Sequence, residues 1–191
     1  MRSRRNRECM LWLIASILIA VCTYPVPSTA GTRATLDLTK VVLAAPASDK
    51  AKHDLGLKKI RTFPLSEINT QFIVLGYYGI KCPYCHEQAP ISNQIYEMIR
   101  HDPELKKDVT MIGVIVGSNP ADTAVYASKY RIRYPMMNDP FFDIYRKLDK
   151  PSVPLTLLLT NRGEILESVT GVMRDPKEFV KKIKEFRSQL R

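Results

Sequence analysis

Phe72-Ile73-Val74-Leu75-Gly76-Tyr77-Tyr78-Gly79-Ile80-Lys81-Cys82-Pro83-Tyr84-Cys85-His86 runs from an apolar, β-rich segment straight into two cysteines with two residues between them. Residues 72–78 have the length and the aromatic and branched content of a buried strand. Residues 83–100 then place Ile91, Ile95, Met98 and Ile99 on one helical face, and Pro83 suits the first helical position, where its missing N–H is not needed. The two sulfurs thus fall where a buried strand hands over to a helix N-terminus. Residues i and i+3 in a first turn lie about 5–6 Å apart, inside the range a disulfide accepts, so the pair can open and close with little backbone movement. Cys82 is expected at the N-cap, where unpaired amides and the positive helix end favour a thiolate and make it the attacking sulfur. Lys81 and His86 add positive or potentially positive groups. Cys85, one turn in and less exposed, is placed to resolve a mixed disulfide. Pro83 and Tyr84 shape the loop between the sulfurs.

Working outward, residues 109–116 (VTMIGVIV) read as a second buried strand and residues 120–130 as a helix entered at Asn119. A short strand is expected over 134–137 and a short helix over 141–148. Strands over 155–160 and 165–170 are joined at Asn161-Arg162-Gly163 as a hairpin, and a C-terminal helix closes the chain. Upstream, Pro64-Leu65-Ser66 marks a turn. Residues 34–43 have some strand character, and 44–53 read as a loop or weak helix. Strands alternating with helices, then a hairpin and a helix, imply a mixed sheet with helices on both faces.

The 191 residues are 45% hydrophobic and 25% charged, enough for a packed core and unlike a disordered chain. No apolar run reaches 18 residues, so the sequence holds no clear membrane-spanning helix. Residues 1–30 read as a secretory signal. Arg2, Arg4, Arg5 and Arg7 precede an apolar stretch over 10–22, interrupted only by Ser16, and Ser28-Thr29-Ala30 supplies small residues for cleavage. The competing readings are an uncleaved N-terminal anchor and a lipoprotein signal through Cys22, where Val21 stands in place of a small residue. Cys9 and Cys22 leave with the signal, so Cys82 and Cys85 remain in an oxidising compartment. A structural disulfide closing so small a loop removes little chain entropy, which points to chemistry instead.

Without residues 1–30 the net charge falls from +10 to +7, and +4 of that lies in residues 171–191. There Phe179, Val180, Ile183, Phe186 and Leu190 recur at helical spacing, which reads as an amphipathic helix with a solvated basic face. A surface for anionic lipid or an acidic partner is the competing reading. No basic patch with interleaved aromatics supports nucleic-acid binding.

Strand, Cys82-Pro83-Tyr84-Cys85 and helix, then Pro90 five residues later and Ser152-Val153-Pro154-Leu155-Thr156 before the hairpin, together resemble the thioredoxin superfamily. The resemblance covers roughly residues 60–188. It implies an α/β thioredoxin-like fold, a central mixed β-sheet flanked by helices. It also implies a cis Val153–Pro154 bond facing the cysteines, with the Val153 backbone and Pro154 binding substrate. The 69 residues from Cys85 to Pro154 exceed a minimal thioredoxin and fall short of the helical insertion of the DsbA oxidants. They accommodate an extra strand–helix insertion, as in the exported oxidoreductases of the TlpA/ResA type. Two positions depart from the pattern. Lys81 stands where a Trp is common, and Gly76 where many thioredoxins carry a buried acid. His86 and Glu87 are then the candidate bases for Cys85.

The expected organisation is a signal peptide over 1–30, an extension over 31–58 and a thioredoxin-like domain over 59–191. The expected activity is that of a periplasmic or otherwise exported thiol–disulfide oxidoreductase. The resemblance implies a reductant of protein disulfides, serving cytochrome c maturation and recharged by a membrane electron donor. The redox-active Cys82–Cys85 pair is its own redox group, and no metal or other cofactor is expected. An oxidant or isomerase could use the same sulfurs. Cys82-x-x-Cys85-His86 is also the attachment pattern of c-type haem, with Met136 or Met137 as a second axial ligand. A Cu(I) or Zn carrier using the cysteines and His86, and a glutaredoxin-like enzyme suggested by Pro83-Tyr84, complete the alternatives.

Overall fold

The computed structural model describes residues 35–37, 41–46, 48–58 and 61–189, so the signal expected over 1–30 and Leu190 lie outside the described residues. In chain order the elements are β1 (Val42–Ala44), α1 (Asp49–Asp54), β2 (Thr62–Pro64), β3 (Phe72–Tyr78), α2 (Pro83–His101), α3 (Leu105–Asp108), β4 (Val109–Val116), α4 (Pro120–Lys129), β5 (Met136–Asp139), α5 (Asp143–Lys147), β6 (Leu155–Thr160), β7 (Ile165–Thr170) and α6 (Pro176–Gln189). A five-stranded sheet runs β5-β4-β3-β6-β7, and β1 and β2 form a separate antiparallel pair. β3, β4 and β5 are mutually parallel, while β6 and β7 are antiparallel to their neighbours. The sheet is therefore mixed, and β3 at its centre is buried along its whole length.

Chain direction decides which helix lies where. The crossovers β3–α2–β4 and β4–α4–β5 step the same way across the sheet. Right-handed connections then put both helices on one face. Ile95 and Ile99 of α2 and Phe179, Val180 and Ile183 of α6 pack there with Phe72, Val74, Met111 and Leu158. Tyr126 of α4 joins Ala89 and Ile115 on the same side. The opposite face, with Ile73, Leu75, Tyr77, Ile112, Val114, Leu155 and Leu157, receives only the short α5. It is closed instead by Leu36, Val41, Leu43, Leu55, Leu57, Phe63, Leu65 and Ile68. Residues 35–58, read from sequence as an extension, thus supply much of the apolar cover of that face. Burying side chains of this size contributes about 1.5–3 kcal/mol each.

The strand–helix unit that the long Cys85–Pro154 span was expected to hold is β5–α5, at the sheet edge. Both elements are displaced from their sequence reading. The strand occupies 136–139, not 134–137: Gly113 pairs with Met136 and the ladder runs on to Asp139, through polar residues that carry no strand pattern. The helix occupies 143–147, not 141–148. Phe142 stands before it at φ 59, ψ 33, a left-handed conformation that costs a bulky residue about 1–2 kcal/mol. Its ring fills the space over Gly117, where a Cβ would come within 2.7 Å of it and φ is +60.

The C-terminal helix forms as expected. Its basic residues are largely neutralised by ion pairs: Lys184 to Asp102 at 2.6 Å, Lys182 to Glu167 at 3.0 Å, and buried Arg187 to Asp108 and Glu104 at 2.6 and 2.7 Å. No helix among the described residues is long and apolar enough to cross a membrane.

Candidate active site

Cys82 is the N-cap of α2, with extended backbone, and its sulfur accepts the Cys85 N–H at 3.3 Å. Pro83 opens the helix as the sequence predicts. Between β3 and Cys82 the chain makes a tight turn, with the Cys82 N–H on the Gly79 carbonyl at 3.2 Å. Gly79 allows the loop before β6 to approach: a Cβ there would stand 3.4 Å from both the Cys82 Cβ and the Val153 Cγ2. The Val153–Pro154 bond is cis, and the Cys82 thiol donates to the Val153 carbonyl at 3.5 Å. Two motifs 71 residues apart in sequence thus meet at one sulfur.

The two cysteines differ in access. Cys82 is half-buried, whereas Cys85 is 0% exposed. Burial, reinforced by the bond its thiol makes to the Cys82 sulfur, pushes the Cys85 thiol up to about 12 from an ordinary 9.0. The Gly79 N–H, donating to the Cys85 sulfur at 3.3 Å, acts in the opposite direction. A disulfide arriving from solvent therefore meets Cys82 first, and Cys85 can act only on a sulfur already held by Cys82.

Among the described contacts, neither candidate base bonds the Cys85 sulfur. His86 Nε2 donates to the Ile80 carbonyl at 2.8 Å; a carbonyl only accepts, so that nitrogen carries its proton. The His86 ring packs on Tyr130, with centroids 5.2 Å apart. Glu87 is exposed. At Gly76 there is no room for an acid, because the space a side chain would take is filled by the Tyr78 hydroxyl. That hydroxyl is bonded to Ser92 and Tyr134 at 3.0 and 3.1 Å. In a mixed disulfide the Cys82 sulfur is no longer free, but Cys85 stays buried. Release of a partner from Cys82 should then accelerate about tenfold per pH unit between about pH 6 and 9, because each unit raises the Cys85 thiolate tenfold. Stopped-flow measurement of that release across the range checks this, and a flat profile would reveal a proton acceptor at Cys85.

Lys81 is exposed and Tyr84 stands 63% exposed beside Cys82. One contact escaped the sequence reading. The Tyr126 hydroxyl donates to the Cys85 carbonyl at 2.8 Å, from α4 across 41 residues. Pro90 deprives the next carbonyl, that of His86, of its helical donor, and Tyr126 adds a bond to the turn that lacks one. No local pattern announces such a contact; only the packing of α4 beside α2 creates it. The arrangement fits haem attachment poorly, since one sulfur is wholly buried and His86 Nε2 is engaged. Among the described residues no group of three or more His, Cys, Asp or Glu gathers in a metal-holding cluster.

No family model matches the chain. It is similar to the thiol-disulfide oxidoreductase ResA of Geobacillus kaustophilus, 24% identical over 170 residues, which cover 89% of this chain and 91% of that protein. ResA of Geobacillus thermodenitrificans is 22% identical over 183 residues, 95% of this chain and 98% of that one. Among solved structures, a secreted Mycobacterium tuberculosis disulfide oxidoreductase homologous to DsbE superposes with a TM-score of 0.56 at 16% identity, over 77% of this chain and 96% of that one. StoA from Bacillus subtilis gives 0.54 at 17% identity, over 75% and 97%.

Proposed function

We propose that this chain, a thiol–disulfide oxidoreductase with a thioredoxin-like fold, works outside the cytosol as a reductant of protein disulfides. The observation that carries the chemistry is the half-buried Cys82 sulfur at a helix N-terminus, 3.5 Å from the Val153 carbonyl, with Cys85 buried behind it. The Cys82 thiolate attacks one sulfur of a client disulfide. The other client sulfur leaves as a thiolate and takes up a proton. Cys85 then loses its proton and attacks Cys82, and the client's remaining sulfur leaves. The client gains two electrons, and the protein is left with a Cys82–Cys85 disulfide. Val153 offers its backbone to the client segment beside the reacting sulfur. No group beyond the two sulfurs is needed for the exchange itself.

Export is supported by the signal pattern of residues 1–30 and by the secreted relative among the solved structures. The oxidised pair must be recharged by a donor of two electrons. A carrier anchored in the membrane is the reading that fits an exported reductant, and clients of cytochrome c maturation fit the likeness to ResA. Direction rests on the reduction potential of the pair against its compartment. The deciding measurement is that potential, with the redox state of the pair in cells. A pair mostly reduced in cells, with a potential near or below that of thioredoxin (about −270 mV), is expected. A pair held as a disulfide at a strongly oxidising potential would turn the reading into an oxidant.

A further inference from the structure

We infer that Phe141 and Phe142 extend the client-binding surface of this oxidoreductase, and that they select polypeptide segments with apolar side chains three to four residues from the reacting cysteine. The inference deepens the function proposed above and rests on it. Five large apolar side chains stand exposed among the described residues, and three of them, Tyr84 (63%), Phe141 (73%) and Phe142 (43%), follow the carboxyl ends of β3 and β5. β3 and β5 are parallel through β4, so the loop after β5 opens at the same end of the sheet as Cys82. α5 begins at this loop and leads, seven residues after Lys147, into the cis Pro154 that faces Cys82.

Single exposed apolar residues need no explanation. Here two adjacent aromatics are exposed, one of them held in a left-handed conformation with its ring against Gly117. The loop is also fixed from below. The buried carboxylate of Asp139 accepts the Tyr77 hydroxyl at 2.9 Å and the amides of Asp143 and Ile144 at 2.7 and 3.1 Å. A strained turn, pinned by a buried acid and showing two rings to solvent, is arranged for contact with something outside the chain.

The chemistry at Cys82 names the occupant: a client segment whose sulfur is bonded at that atom lies across this end of the molecule. β5 lies two strand spacings from β3, about 10 Å, and an extended segment advances about 3.3 Å per residue. A chain bonded at Cys82 that runs across the strand ends toward β5 therefore comes level with the loop carrying Phe141 three to four residues from its cysteine.

The test uses the reduced full-length chain and symmetrical disulfides of short peptides. One peptide carries Leu-Phe three to four residues from its cysteine, and a second carries Ser-Ser there. Hydroxyethyl disulfide serves as the small substrate. The wild type should reduce the Leu-Phe peptide about tenfold faster than the Ser-Ser peptide, the scale of one or two aromatic contacts. Phe141→Ser should erase that preference, while reduction of the Ser-Ser peptide and of hydroxyethyl disulfide stays within about twofold of wild type. Phe141→Leu should keep most of the preference. An equal rate for both peptides in the wild type, or a preference that survives Phe141→Ser, overturns the inference and leaves the oxidoreductase reading standing. Failure of the wild type to reduce hydroxyethyl disulfide at all would remove that reading, and this inference with it.

Discussion

A Cys82→Ser variant should keep its fold and lose disulfide exchange by a factor on the order of 10³ or more, because a hydroxyl at the helix N-terminus cannot attack a disulfide. Cys85→Ser should behave differently. Its Cys82 still attacks, but nothing displaces the client, so clients accumulate as covalent adducts that non-reducing electrophoresis resolves and a thiol reductant releases. The asymmetry follows from geometry. Cys82 is half-buried and bonded to the Val153 carbonyl, whereas Cys85 is sealed from solvent and its thiol is pushed up to about 12 by burial. If Cys85→Ser traps nothing while Cys82→Ser does, the roles are reversed. If neither variant affects exchange, the sulfurs are not the reacting groups.

The legibility of this chain is uneven for physical reasons. β3, β4 and β6 agree residue by residue with their expected spans, because near-continuous burial writes itself into an apolar run, and β7, buried only at Leu166, follows through the turn at Asn161-Arg162-Gly163 that pairs it with β6. The cysteine pair and the helix that begins at Pro83 were equally open to reading, since the N-cap and the proline are local signals. β5 and α5 differ from their expected spans by one or two residues at each end, because β5 pairs on through Asn138 and Asp139, polar residues that carry no strand pattern, and α5 starts where the Asp139 carboxylate meets its first amides. The cover of the second face by Leu36, Val41 and Leu43 was hidden for a similar reason: short apolar pieces between loops have no period, and only the uncovered sheet tells them where to go. Of the site, the sulfurs and Val153–Pro154 came from motifs, while Tyr126 under Cys85 came from packing alone.

Asp139→Ala should lower stability by roughly 3–4 kcal/mol and the melting temperature by about 10 °C. Asp139 is 1% exposed. Its two oxygens accept the Tyr77 hydroxyl and the amides of Asp143, Ile144 and Tyr145, the last at 3.3 Å, so the side chain caps α5 from four residues upstream and ties it to β3. Truncation leaves a buried hydroxyl and the first amides of a helix without acceptors, and each such group loses about 1 kcal/mol or more. Tyr77 cannot compensate by ionising, because burial, which the truncation leaves in place, holds its phenol well above the ordinary tyrosine range. Asp139→Asn keeps one acceptor and should lose about half as much, and Tyr77→Phe, which removes a single bond, about 1 kcal/mol. Thermal unfolding of the three variants and of the Tyr77→Phe/Asp139→Asn double variant gives the coupling between the two residues. Strictly additive losses would mean that the bond from β3 to the loop contributes nothing, and that α5 is held by its amide contacts alone.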